Sequence, residues 1–220
     1  MIQPDEIIRS RRKTLAISID PFGRLIVRAP QTCSKERIFA FIKQKERWIL
    51  QKQTQMKGVG VSFPPENLHG YTFMLLGRDC RIVLIDGKNV IFDKKTYVLY
   101  LPSKNAKVRL IKWLKENAKR IFTMVAERKA KEMDVSFRSI DISSAKGKWG
   151  SCTYDNKIRF AYRLIYAPKE MIEYVVVHEL AHVKEKNHSA KFWALVEKYI
   201  PDWQARRKWL RQRGILLEIF

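Results

Sequence analysis

As far as Pro102, hydrophobic and polar positions alternate in short runs, and after it they follow a helical period. In "KTLAISIDPFGRLIVRAP", Leu15, Ile17 and Ile19 occupy every second position, and "DPFG" supplies a turn before Leu25 to Arg28. That is the pattern of a β-hairpin. Ser34 is suited to capping a helix, and Ile38, Phe39, Ile42, Trp48 and Ile49 continue at helical spacing until "KGVGVSFPPEN" breaks it. "YTFMLLG", "CRIVLID" and "YVLYLP" are further β-rich runs, joined by turn signals such as "DGKN". Val108, Ile111, Leu114, Ala118, Ile121, Phe122 and Val125 predict one face of a long helix from Lys104 to Met133. Its other face carries Lys107, Lys112, Lys115 and Lys119, a stripe most simply read as solvated. "SIDISSAKGKWGSCTYDNKIRFAYRL" predicts strands around a Gly-bearing turn, and three helices follow over 169–184, 190–200 and 203–213. Pro168, Ser189 and Asp202 mark their starts, and Gly214 the end of the last. The expected fold is α+β, with a β-rich domain containing one helix over 1–101 and a second domain over 102–220.

Composition narrows the class. A hydrophobic fraction of 46%, with 11 Phe, 8 Tyr and 6 Trp, indicates a packed core rather than disorder. No apolar run approaches the roughly 18 residues of a membrane-spanning helix. "MIQPDEIIRSRRK" has no apolar segment of the kind a secretory signal carries. Cys33, Cys80 and Cys152 are few, odd in number and far apart, which fits reduced thiols. A cytoplasmic protein with no membrane partner is expected. Its 44 Lys and Arg against 22 Asp and Glu give a formal charge of +22, a field that attracts polyanions such as nucleic acid or nucleotides. The plainer alternative is a solvated basic surface, because composition alone does not locate a patch.

The chemistry concentrates in "VVVHELAHVKEKNHSAKFW", where three of the four histidines fall between positions 178 and 188. On a helix, His178 and His182 lie one above the other on the same face and can hold one ion, the H-E-x-x-H arrangement. Two imidazoles are too few for a catalytic zinc, which takes three protein ligands and leaves one position open. His188, in the bend before the Ser189 cap, is the natural third ligand. Glu179, one step round from the ligand face, can take a proton from a metal-activated water. Ile172, Val175, Val176, Leu180, Ala181 and Val183 make the helix apolar around much of its girth, as for one held in a core. Tyr162, Tyr166, Arg163 and Lys148 are all open as a second donor to the developing oxyanion. An isolated H-E-x-x-H occurs by chance, but the third histidine and the capped apolar helix weigh against chance here.

From Lys146 in "KGKWGSC" through "IRFAYRLIYAPKEMIEYVVVHELAHVKEKNHSAKFWALVEKYIPDWQARRKWL", the chain closely resembles the YgjP-like metallopeptidase family, and "IRSRRKTLAISIDPFGRLIVRAP" resembles the family's front end more loosely. The resemblance implies a zincin-like catalytic core akin to SprT-like and WLM metalloproteases. It also implies one Zn²⁺ held by His178, His182 and His188, with Glu179 as catalytic acid/base. An edge strand near the cleft, around Ile158 to Ala161, would pair with extended peptide substrate. Relatives often carry Asn in place of Ala161 and Cys in place of Ala181. "WGSC" (Trp149 to Cys152) is characteristic of the family without an evident role. Cys152 reads as a structural thiol, since the metal site already provides the attacking group.

The expected function is a zinc-dependent hydrolase, foremost a metallopeptidase acting on a peptide or protein. One alternative keeps the metal and changes the substrate to a nucleoside triphosphate such as UTP, an activity described for some YgjP-like relatives. A second is a basic nucleic-acid-associated protease or binding module, motivated by "WQARRKWLRQRG", in which Trp203 and Trp209 are interleaved with five Lys and Arg. Against it stands an amphipathic terminal helix whose tryptophans pack on the core.

Overall fold

A computed structural model describes residues 2–19, 23–58 (with side chains to 54) and 65–214. The "DPFG" turn, apart from Gly23, and positions 59–64 of the "KGVGVSFPPEN" break lie outside the described residues. The fold is α+β. The chain forms two compact units, Met1–Val61 and Ser62–Phe220.

The first unit is a three-stranded sheet with two helices. Strands β2 (Ala16–Ile19) and β3 (Leu25–Pro30) form the antiparallel hairpin, with Ile19 opposite Leu25. A further strand, β1 (Glu6–Ser10), pairs parallel to β3 on its other side. In "EIIRS" two isoleucines are adjacent, so the alternation that marks its neighbours is missing. As the central strand, β3 buries Leu25, Val27 and Ala29 completely. Helix α1 (Lys35–Gln44) starts where Ser34 Oγ accepts the Arg37 N–H at 3.3 Å. The expected single helix is interrupted at Lys45, where α2 (Glu46–Gly58) begins. Ile38, Ile42 and Ile49 cover the sheet.

The second unit contains two sheets and four helices. Its first sheet has the order β4 (Thr72–Leu75), β5 (Arg78–Ile85), β7 (Val98–Pro102), β6 (Ile91–Asp93). These strands were expected to share a domain with the front of the chain, yet they lie within the second compact unit. The packing explains it: Phe92 meets Trp113 of the next helix at 5.5 Å, and Phe73 meets Tyr166 edge-on at 6.0 Å. That helix, α3 (Ala106–Met133), buries Leu110, Leu114, Ala118, Phe122, Ala126 and Ala130, one residue per turn. Val108, expected on this face, is 69% exposed, so the stripe is rotated from the predicted one.

The second sheet is β8 (Ser139–Ser143), β10 (Lys157–Ala161) and β9 (Gly150–Cys152), with β10 in the middle, parallel to β8 and antiparallel to β9. The strand around Ile158 to Ala161 is therefore not an edge. Both of its sides are hydrogen-bonded, and Ile158, Phe160 and Ala161 are buried. The edges of this sheet are β8 and β9. A 3₁₀ segment (Tyr162–Tyr166) leads into α4 (Lys169–Lys184), followed by α5 (Ala190–Tyr199) and α6 (Trp203–Gln212).

The entry to α4 is fixed by the tip of the β4–β5 hairpin. Leu76 and Gly77 have φ of 53° and 79°, the two-residue loop whose twist matches the flanking strands. The Leu76 N–H donates to Ile165 O at 2.8 Å. A Cβ on Gly77 would lie 2.9 Å from Pro168 Cα, so only glycine lets the tip touch the start of the helix. Gly77→Ala is expected to destabilise the protein by about 1–3 kcal/mol in urea unfolding, from left-handed strain and displaced backbone. Gly70→Ala, with a similar φ of +77° and no neighbour nearer than 4.0 Å, is expected to cost less.

Candidate metal centre

Helix α4 carries Tyr174, His178 and His182 at intervals of four, hence along one face. Ile172, Val175, Val176, Val177, Leu180 and Ala181 bury most of the rest. The helix ends at Glu185, and His188 lies in the bend before Ser189, whose Oγ accepts the Phe192 N–H to begin α5. The three imidazoles converge, with one nitrogen from each lying within 4.8 Å of the others. His178 Nε2 and His188 Nε2 are 3.1 Å apart. Two nitrogens bound to one tetrahedral zinc at 2.0–2.1 Å would be about 3.4 Å apart, so the cluster needs little change to close on an ion.

The protonation states suit that role. His182 Nδ1 lies 3.0 Å from Glu185 O, so a proton on Nδ1 donates to the carbonyl and Nε2 keeps its lone pair. Burial pushes His178 down to about 3, helped by the neighbouring histidines and Arg207. Burial also lowers His182. Three imidazoles, with no thiolate or carboxylate joining them among the described residues, form a donor set that fits zinc. Phe192 holds all three rings, with centroids 4.9, 4.5 and 4.8 Å from His178, His182 and His188. Trp193 stacks on His188 at 5.6 Å and on Trp203 of α6 at 4.1 Å. Lys186 ties the bend to the β9–β10 turn by donating to Asn156 Oδ1 at 2.6 Å.

Glu179 is 5% exposed and points away from the core toward β9. Burial raises its carboxyl to about 8, partly offset by the Lys148 charge. A Cβ on Gly150 would lie 2.6 Å from Glu179 Oε1 and 2.8 Å from its Cγ. The glycine of "WGSC" thus leaves the space that the carboxyl occupies. A glycine inside a strand pattern often marks such a close approach, and that was the available signal. Cys152, next on the strand but one, donates to Thr153 O at 3.4 Å, and burial raises its thiol above the ordinary value, so it is no thiolate nucleophile.

His178 and Glu179 open onto a cleft of about 320 Å³ shared with Lys148, Trp149 and Tyr174. Arg207, Leu210 and Arg211 of α6 complete its wall. Of the four candidate oxyanion donors, the cleft contains only Lys148. Tyr162, Arg163 and Tyr166 are buried in the 3₁₀ segment, where Arg163 Nη1 donates to Ser144 O at 3.0 Å. Tyr174, Arg207 and Arg211 were not foreseen. Tyr174 could have been found as the residue one turn before His178, and the two arginines as a pair four apart on α6. Trp203 is engaged by Trp193, as expected of an amphipathic helix packed on the core. No described helix is long and apolar enough to cross a membrane.

The model of the YgjP-like metallopeptidase domain matches residues 13–213. Among solved structures, the metallopeptidase zymogen abylysin of Pyrococcus abyssi aligns at 20% identity and a TM-score of 0.40, covering 42% of this chain and 93% of that one. The metallopeptidase zymogen jannalysin of Methanocaldococcus jannaschii aligns at 19% identity and a TM-score of 0.38, covering 42% and 95%. No curated protein matches.

Two outcomes are expected. Gly150→Ala should displace the Glu179 carboxyl, lowering hydrolytic activity at least about 10-fold while metal content per chain, measured by mass spectrometry, stays constant. The second concerns the metal-free protein. With Glu179 at about 8 in the fold and 4.5 when exposed, unfolding between those values releases a proton. Rising pH therefore weakens the fold across that window. Urea midpoints of wild type relative to Glu179→Gln should fall as pH rises from about 4.5 through about 8, and a flat difference would contradict the burial of this carboxyl.

Proposed function

The chain belongs to the YgjP-like metallopeptidase family, and on that premise we propose that it is a zinc-dependent peptidase, with His178, His182 and His188 as the ligands and Glu179 as general base. The observation that carries this reading is the convergence of three imidazoles beside one buried carboxyl. A bound Zn²⁺ supplies Lewis-acid activation of water and of the scissile carbonyl.

The chain's own groups do the rest. Glu179 accepts the proton of the attacking water at its carboxylate and returns it to the leaving amine. Burial alone would keep this group protonated at neutral pH, and a dication held by the adjacent histidines favours its charged form. As an edge strand beside Glu179, β9 is the strand on which an extended peptide would pair through its backbone groups. Lys148, and Tyr174, whose phenol burial raises to about 12 and so keeps its proton, are the donors available in the cleft for the developing oxyanion.

A second reading, hydrolysis of a nucleoside triphosphate such as UTP with release of pyrophosphate, is favoured by the cations Lys148, Arg207 and Arg211 around the same cleft. The same site residues would serve it.

The test compares wild type with Glu179→Gln on unfolded protein, peptides and nucleoside triphosphates. The variant should keep one zinc per chain and lose about 100- to 10,000-fold in hydrolysis. Retained hydrolysis would remove Glu179 from the chemistry. Pyrophosphate release with no peptide cleavage would replace the peptidase by the second reading.

A further inference from the structure

We propose that the cleft beside His178 and Glu179 is a cationic specificity subsite that takes a carboxylate of the substrate peptide. That carboxylate is either an acidic side chain flanking the scissile bond or the peptide's own terminus. This rests on the peptidase reading above and adds the substrate class.

Three cations from two separate elements meet there: Lys148 from the segment before β9, and Arg207 and Arg211 one turn apart on α6. Leu210, 3% exposed, forms an apolar base between the arginines, with Trp149 and Val175 on the walls. The only acid in the lining is Glu179. Neighbouring Arg206 shows what a structural arginine looks like here. It pairs with Asp202 at 2.9 Å and Glu173 at 3.6 Å and donates to Glu170 O at 2.9 Å. Among the described residues, Lys148, Arg207 and Arg211 have no acidic side chain within ion-pair distance.

Arg207 is nonetheless held. Its guanidinium lies 4.9 Å over the Trp193 ring, which is fixed between His188 and Trp203. A guanidinium oriented by stacking keeps its planar N–H fork free for a carboxylate and gives up little rotamer freedom on binding. The cleft volume of about 320 Å³ sits at the lower end of small-ligand pockets, about 300–1,000 Å³. That size matches a side chain or a chain terminus better than a whole nucleotide. Anionic substrate groups would be drawn to a cleft that His178 and Glu179 also line.

The experiment uses the zinc-loaded full chain and a matched peptide series. One arm varies the residues flanking the scissile bond among Glu, Gln and Lys. The other compares free with amidated C-termini. The wild type should prefer Glu over Gln at one flanking position, or the free over the amidated terminus, by at least about 10-fold in kcat/KM. Arg207→Glu and Arg211→Glu should each collapse that ratio and shift it toward Lys or the amide. Because the readout is a ratio within one preparation, partial loss of folding or metal does not imitate it. Arg211→Glu, at an exposed position with no ion-pair partner among the described residues, covers failure of the Arg207 variant to fold. Equal cleavage across both arms, a preference for Lys, or an unchanged ratio in both variants would overturn the subsite and leave the peptidase standing. Cleavage of no peptide at all would overturn the peptidase reading, and the subsite with it.

Discussion

A buried carboxyl must sit beside two half-buried imidazoles on an otherwise apolar helix, close to an exposed third from the bend that follows it. The remaining architecture answers that requirement. Burial disfavours the charged forms of Glu179 and His178, raising the first and lowering the second. The helix tolerates them because its other faces bury Val175, Val176, Leu180 and Ala181, the large apolar ones contributing about 1.5–3 kcal/mol each. A dication and a carboxylate entering the same space together would relieve the electrostatic penalty that either alone would carry.

The surrounding elements hold α4 at both ends and along its length. At its start, the β4–β5 hairpin tip rests on Pro168. At its end, the Lys184 ammonium donates to Met133 O at 3.0 Å, satisfying one of the open carbonyls where α3 stops. The His188 bend is tied through Lys186 to the β9–β10 turn, so the third histidine and the strand facing Glu179 share one anchor. Phe192 and Trp193 restrict the imidazole rings, and Trp203 braces Trp193 from α6.

Much of this is legible in the residues. The hairpin at 16–30, the long helix after Pro102 and the three C-terminal helices show clear periods, with Ser189 as a cap. The histidine spacing singles out the three rings that converge. What escapes is set by partners distant in sequence. Strand β1 has adjacent isoleucines where an alternation would be, and β6, of three residues, is too short to display a period. The unit boundary depends on which helix the β4–β7 sheet packs against, which no local pattern encodes. The position of β10 at the centre of its sheet follows from β8 joining it in parallel from across a long connection. Gly150, Tyr174, Arg207 and Arg211 acquire meaning only when β9, α4 and α6 meet.

The approach of Gly150 to Glu179 has a historical consequence. The carboxyl fills the volume that any larger residue on β9 would claim, so positions 150 and 179 are not free to drift independently. A lineage that lengthens the side chain at one must shorten or abandon the acid at the other. On the role proposed for Glu179, loss of that glycine in a descendant sequence would therefore be an early sign that hydrolysis has been given up, even with all three histidines intact.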